Sequence, residues 1–522
     1  LSAGAFRPAD ALADSLGTLA MLATAAAACW WLGSPRRLRK LAVALAAVHL
    51  VVQFDAMLQY MGLDSHRWAF QYGVERIRPF ASLGNPNHLG GHFAALLPWA
   101  AGLFLAAGSV LARAATLGLA LGWAVVVLVA QTRGAWIAAA AGPAWLGWRW
   151  WVEDRRGVES RRAWLLGLGI AAAAAGALAI MWNPDLAIRV GSLFHPEFGQ
   201  VAKRYSSLRA GMLAWRERPL AGLGPGCFIH AYGRHMARAI PEGEERQFVH
   251  TFSEGFAHCE PVQLLVETGV AGTGLFLWLL CAGWRAARRH ADRRVGRALE
   301  ACAVALAVQG LTNFPLHVAP TAFLFALGLG LVATTRLVAP ATAGPIRLAA
   351  AGAVALAVGT LAAASFTASL YTRLGYDYRN AGRWYESARW YEQSMKIDWH
   401  DRREAFYAAS MRFQSGAKAE SIPLFEAEIR RNPYFMDSFA NLGAVLGSLK
   451  DVAGAERNLL RAIELNPAYA DAYANLAVAR LEQKRVREAF DLFSKALALE
   501  PENALAKNGL ESARAKLGGG AR

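Results

Sequence analysis

Residues 254–274 read EGFAHCEPVQLLVETGVAGTG, and the apolar run that begins at Pro261 continues to Trp284 before the chain breaks into RAARRHADRRVGR at 285–297. A helix needs about 20 apolar residues to cross a hydrocarbon core, so 261–284 is long enough to span a membrane. The arginine cluster marks one end of that span as a cytoplasmic surface. The other end carries His258, Cys259 and the glutamates Glu254, Glu260 and Glu267. A membrane helix with such an ionisable mouth predicts a polytopic membrane protein with chemistry at that mouth.

Working outward, the 522-residue chain is 55% hydrophobic and 18% charged, against roughly 45–50% apolar residues in soluble domains. The excess lies before about residue 370, where long apolar runs alternate with short arginine-rich breaks; beyond it the sequence is polar and helical in pattern. The runs predict about ten spans: 11–33, 41–62, 88–109, 113–132, 134–151, 163–182, 261–284, 298–314, 319–337 and 347–370. If they alternate, the basic breaks at 36–40, 153–162 and 285–297, with Arg113, Arg336 and Arg347, share one side, which the positive-inside bias makes cytoplasmic. The loops 63–87, 131–134, 183–260 and 311–320 then face outward, as does everything after 370. The net charge of +16 is thereby explained by orientation. Without a basic stripe interleaved with aromatics, nucleic-acid binding is excluded. Of five cysteines, Cys29, Cys281 and Cys302 sit in apolar runs, whereas Cys227 and Cys259 border one polar loop and could pair in an oxidising compartment.

The tail repeats itself. Asn432-Pro433, Asn466-Pro467 and Glu500-Pro501 recur at a 34-residue step, as do Leu374-Gly375, Ala408-Ala409, Leu442-Gly443 and Leu476-Ala477. The large residues Tyr391, Phe425, Leu459 and Phe493 follow the same step. That period with small residues at helix crossings is the tetratricopeptide pattern. It predicts four helix pairs over 371–502 and a capping helix over 503–517, a solenoid suited to binding a protein partner. The expected organisation is a membrane domain over 1–370 with a large loop at 183–260, and a repeat domain over 371–522.

The large loop is rich in arginine and histidine on the side where positive charge is disfavoured. A solvated loop escapes that bias; an anionic, lipid-linked substrate would require the charge, since Arg binds phosphate bidentately at any working pH. Arg133 stands in the tight turn QTRG, Asn85-Pro86 can start a helix, and His88 and His92 share a helix face. Arg209, Arg204, Arg216 and Arg218 lie in the large loop. His258, at the membrane surface, suits general-base work on a hydroxyl. Gly269 and Gly272 deeper on its helix would allow another helix to approach closely. Two histidines without a third ligand, and a loop with Asp185 as its only Asp, predict no metal and no cofactor.

Four motifs resemble the O-antigen ligase and polymerase superfamily of bacterial envelope enzymes: TRGAW (132–136), RAGML (209–213), RPLAGLGPGCF (218–228), and HC followed after nine residues by GVAG (258–272). GNPNH (84–88) is also common there. Cys259 departs from the Asn, Ser or Gln found at that position. Members often have about twelve spans, so the resemblance implies two more before Leu1. It also implies transfer of a glycan from undecaprenyl diphosphate to a lipid, glycan or protein acceptor at the periplasmic face of the inner membrane. Arg133 and Arg209 would hold the diphosphate, His258 would activate the acceptor hydroxyl, and Arg204, Arg216, Arg218, Asn87 and His88 would contact substrate. Ligases, polymerases and protein O-oligosaccharyltransferases share these motifs. Two other classes predict different patterns: a scaffold would tolerate loss of Arg133, Arg209 and His258, and a transporter would line a path with groups such as His49, Asp55 and Glu267.

Overall fold

The computed structural model describes residues 35–63, 79, 81, 85–153, 198–240, 256–290, 292–333, 360, 364, 367–368, 370–397 and 403–519. Among them there are helices and turns and no strand. The membrane part comprises α1 (Pro35–Tyr60), α2 (Pro86–Ala106), α3 (Val110–Val129), α4 (Arg133–Glu153), α7 (Glu260–Arg288), α8 (Arg293–Gly310) and α9 (Ala319–Ala333). Between α4 and α7 lie α5 (Phe198–Trp215) and α6 (Phe228–Ala239).

Seven of the ten expected spans coincide with these helices. The expected spans 11–33 and 163–182 lie outside the described residues, and 347–370 almost wholly so. By length and composition three described helices can cross a membrane, at Lys40–Tyr60, Val110–Val129 and Glu260–Arg288. They are peripheral, with only 11%, 22% and 17% of their apolar windows buried. Their surfaces expose Val51, Phe54, Leu275 and Trp278, an apolar rim of the kind that lipid covers. The central α2 is different. Leu89, His92, Phe93, Ala94, Leu96 and Ala100 bury most of its circumference against α3, α4 and α8. Protein rather than lipid surrounds it, so it tolerates Gly, His and Pro in its sequence.

Two sets of polar groups inside this bundle are bonded to one another. His49 Nδ1 donates to the Leu45 carbonyl at 2.6 Å, its Nε2 lies 2.9 Å from His92 Nε2, and His92 Nδ1 lies 3.0 Å from the Thr321 hydroxyl. Every ring nitrogen of the pair is engaged in a structural chain. At the arginine-rich end, Arg149 of α4 meets Glu300 of α8 at 2.8 and 3.3 Å, and Trp145 Nε1 donates to the same carboxylate at 3.3 Å. Arg149 also pairs with Glu153, so loss of Glu300 leaves it one carboxylate rather than none, at less than the roughly 3–5 kcal/mol of an orphaned buried charge. Glu300→Ala should therefore lower the apparent Tm in detergent, since the Arg149 and Trp145 hydrogen bonds to Glu300 are lost. The double variant Arg149→Met/Glu300→Met should recover most of the loss, as read by tryptophan fluorescence.

The tail forms the expected pairs. A helical stretch over 370–380 packs on α10 (Trp384–Ile397), followed by α11 (Glu404–Gln414) with α12 (Lys418–Arg431), α13 (Met436–Ser448) with α14 (Val452–Leu465), and α15 (Ala470–Glu482) with α16 (Val486–Leu499). The cap is α17 (Ala504–Gly519). The periodic small residues face the periodic large ones: Ala409 shares a core with Phe425, and Ala477 with Phe493. Successive repeats are tied by the same bond, from Tyr469 to Asp437 and from Asn503 to Asp471, each 2.7 Å.

The repeats also pack on the loop. Tyr232, Met236 and Ile240 at the end of α6 share one core with Met436, Leu465 and Ala468. Gly233 permits the contact, since a Cβ there would lie 2.8 Å from the Tyr434 carbonyl oxygen. No disulfide joins the neighbouring Cys227, which is buried, and Cys259, which is half-buried.

Candidate active site

At the end of the bundle away from the Arg149–Glu300 pair, several chain segments meet. Asn85 caps α2, its side-chain oxygen accepting the Asn87 N–H at 2.8 Å, with Pro86 in the first turn. The Thr132 hydroxyl lies 3.2 Å from both the Pro86 carbonyl and Asn87 Oδ1. This bond sets the first turn of α2 beside the first turn of α4, which begins at Arg133. Arg204 of α5 lies near Arg133. Although Arg204 is exposed, partial desolvation by its surroundings and the Arg133 charge both push its pKa down from the usual arginine value. Neighbouring arginines of this kind suit an anion, to which guanidinium groups bind bidentately.

The ring of Phe314 collects the histidines. Its centroid lies 5.4 Å from that of His88 and 5.4 Å from that of His258, both edge-on, and 4.1 Å from that of Phe256, stacked. His258 adopts φ +52°, a left-handed conformation uncommon for a residue with a side chain. Such local strain recurs where a side chain must be aimed.

Behind His258 runs a buried polar chain. Glu260, Gln263 and Glu267 share one face of α7, and all three are buried. The Gln263 side-chain oxygen accepts the Ala257 N–H at 2.7 Å, and its nitrogen donates to Glu267 Oε1 at 2.6 Å. His317 sits between the two carboxylates, 3.0 Å from Glu260 and 3.5 Å from Glu267. Burial alone would favour the neutral imidazole. The two carboxylates facing its ring nitrogens prevail and raise its pKa to about 10. A raised folded-state pKa contributes its stability in full below the unfolded value of about 6.5 and loses it as pH climbs through about 10, so this latch holds at neutral pH. The Glu260 N–H donates to the Asn313 carbonyl at 3.1 Å, and the Leu316 N–H donates to Glu260 Oε2 at 3.2 Å.

The glycines do something other than admit a helix. α7 breaks at Gly269, where φ is +65° and ψ −171°, a region essentially confined to glycine. The break frees backbone groups that residues 219–224 satisfy. Leu223 and Gly224 N–H donate to the carbonyls of Val266 and Glu267, and Val270 and Ala271 N–H donate to those of Pro219 and Leu220, at 2.9–3.1 Å. Gly222, at φ +70°, and Gly269 lie backbone to backbone there. Gly272 faces the Thr268 side chain of its own helix. The expectation of close helix packing at Gly269 and Gly272 is thus corrected: a loop inserts into a kink.

Among the expected site residues, Arg133 and Arg204 are brought together, His88 and His258 share the Phe314 ring, and Asn87 is bonded to Thr132. Arg204, Arg209, Arg216 and Arg218 are all exposed. Arg209 lies on the side of α5 nearly opposite Gly211, the residue that meets Val262 of α7, because two residues turn a helix by about 200°. Arg204, seven residues before Gly211, falls on nearly the same face as it. Sequence reasoning missed Phe314, Gln263 and His317. The positions 260, 263 and 267, spaced to share one helix face, carried a readable signal; Phe314 and His317 carried none. Cys259 is the N-cap of α7 and makes no side-chain cap bond, whereas Asn or Ser there could cap. Among the described residues no three His, Cys, Asp or Glu form a metal-binding group.

Residues 116–277 match the O-antigen ligase family, and residues 367–397 match the tetratricopeptide repeat. Both matches agree with the resemblance carried by the motifs. The first spans Arg133, Arg204, Arg209, His258 and Gly269. No curated protein sequence gives a significant match. Similar solved structures include MamA from Desulfovibrio magneticus RS-1, at 20% identity and a TM-score of 0.27, covering 29% of this chain and 85% of that one. Another is YrrB, described as a tetratricopeptide protein with an unusual peptide-binding site. It is 17% identical with a TM-score of 0.26, covering 32% of this chain and 83% of that one.

Proposed function

We propose that this chain, which joins an O-antigen ligase segment to tetratricopeptide repeats, transfers a glycan from an undecaprenyl-diphosphate donor to an acceptor hydroxyl at the periplasmic face of the bacterial inner membrane. The observation that carries this reading is the match of residues 116–277, which hold Arg133, Arg204 and His258, to the O-antigen ligases.

The chemistry needs little more than placement. The acceptor oxygen attacks the anomeric carbon, and the bond from that carbon to the phosphate oxygen breaks. Undecaprenyl diphosphate departs with the bonding pair, and the hydroxyl proton passes to His258. Arg133 and Arg204 would neutralise the diphosphate as charge develops on it; Arg209, carried by the motif, would meet the donor from the exposed side of α5. Arg216 and Arg218, with Asn87 and His88, would line the approach. Arginine side chains in this reading supply the charge neutralisation, so no metal is required.

The packing of α6 on the repeats favours a role for the repeat domain in presenting an acceptor or an assembly partner to the loop. On this reading the large loop and the repeats share the periplasmic side.

Arg133→Ala and Arg204→Ala test the clamp. Each should lower kcat/KM for a lipid-diphosphate donor in liposomes by about 10²–10³-fold, the loss typical of one transition-state donor. Arg487→Ala, an exposed arginine of the repeats, should stay within about twofold, as surface charges do. Equal activity in all three variants would remove the clamp from the reaction.

A further inference from the structure

We propose that Gln263, Glu267 and His317 are a positioning set that aims His258, so that the rate of the chemical step depends on residues that never touch substrate. The inference rests on the reading of His258 as the acceptor base. Gln263 and Glu267 stand at the unspecified positions between the two halves of the 258–272 motif, and His317 lies outside every motif.

The geometry is directional. Gln263 is 1% exposed, and its amide can face only one way. The oxygen takes the Ala257 N–H at 2.7 Å, on the residue immediately before His258, and the nitrogen gives its hydrogen to Glu267 at 2.6 Å. The other oxygen of Glu267 faces His317 Nε2 at 3.5 Å, and His317 Nδ1 is 3.0 Å from Glu260. The chain thus runs from the loop after α8, through α7, to the backbone that carries His258.

Burying two carboxylates, an imidazole and an amide for packing alone is poor economy, because an apolar face would stabilise the contact as well or better. The same chain ends where the backbone is held at φ +52°. Phe314, three residues before His317, packs on the His258 ring itself. Backbone and ring of His258 are therefore held by one loop, from two directions. A displacement of about 1 Å at a reacting group costs on the order of 10²-fold in rate.

The test uses the full chain in liposomes with a short undecaprenyl-diphosphate donor. Gln263→Met keeps the side-chain volume and removes both hydrogen bonds; Glu267→Gln keeps an acceptor for Gln263. Gln263→Met should lower kcat by about 10–100-fold with donor KM within about threefold, the pattern of an interaction that matters in the transition state. Glu267→Gln should retain most of the rate. In a His258→Asn background Gln263→Met should have no further effect, since its action passes through His258. Full kcat in Gln263→Met, or an equal further loss in the His258→Asn background, would overturn the inference while leaving the base assignment standing. Wild-type rates in His258→Asn alone would overturn both. If Gln263→Met fails to fold, His317→Gln is read in the same way.

Discussion

Gly269→Ala is expected to abolish a stable fold of the membrane part, through backbone conformation and overlap together. The φ of +65° with ψ near −171° costs a residue with a side chain about 1–3 kcal/mol. A Cβ there would also fall on the Leu220 carbonyl and the Gly222 nitrogen. Relieving that overlap breaks some of the four backbone bonds between 219–224 and α7, each worth about 1 kcal/mol. The sum is a loss of at least about 3 kcal/mol, which should appear as a large fall in apparent Tm in detergent and poor recovery of monodisperse protein. Gly274→Ala, on the same helix with nothing within 4 Å of the added Cβ, should be neutral or slightly stabilising, since alanine favours helix by about 1 kcal/mol over glycine. Equal stability of the two variants would show that the kink is not required.

The second large effect is expected at His258. Removing a general base costs about 10²–10⁴-fold in rate. His258→Asn is the informative substitution, because Asn enters the left-handed region readily and so preserves the φ of +52° while removing a group that can take a proton. The variant should keep the wild-type apparent Tm and lose transfer. A variant that loses both would point to a structural role for the ring that packs on Phe314.

Much of this was legible in the sequence because it is local or periodic. The 34-residue step of Ala409, Ala477, Phe425 and Phe493 foretold which residues meet in the repeats, since small and large residues must alternate where helices cross. Asn85-Pro86 foretold where α2 starts, and the apolar run after Pro261 foretold α7. The site was legible only in part. A turn between two spans, LTNFPLHVAP, says nothing by itself of Phe314 reaching His258, or of His317 reaching two glutamates on another helix. Helix phase separated Arg204 from Arg209, and phase in a loop helix cannot be read until its packed face is known. Gly269 and Gly272 looked like a helix-packing pair because that is what spaced small residues in spans commonly do. The backbone of 219–224, 45 or more residues earlier in the chain, supplied the different answer.

The most direct test is glycan transfer in liposomes reconstituted with the full chain and a short undecaprenyl-diphosphate donor, comparing wild type, Arg204→Ala and His258→Asn at matched folded protein. Transfer by wild type, with a loss of about 10²-fold or more in each variant, is the predicted result. Transfer at wild-type rates in both variants would contradict it, and would assign the repeats and their membrane anchor a role without catalysis.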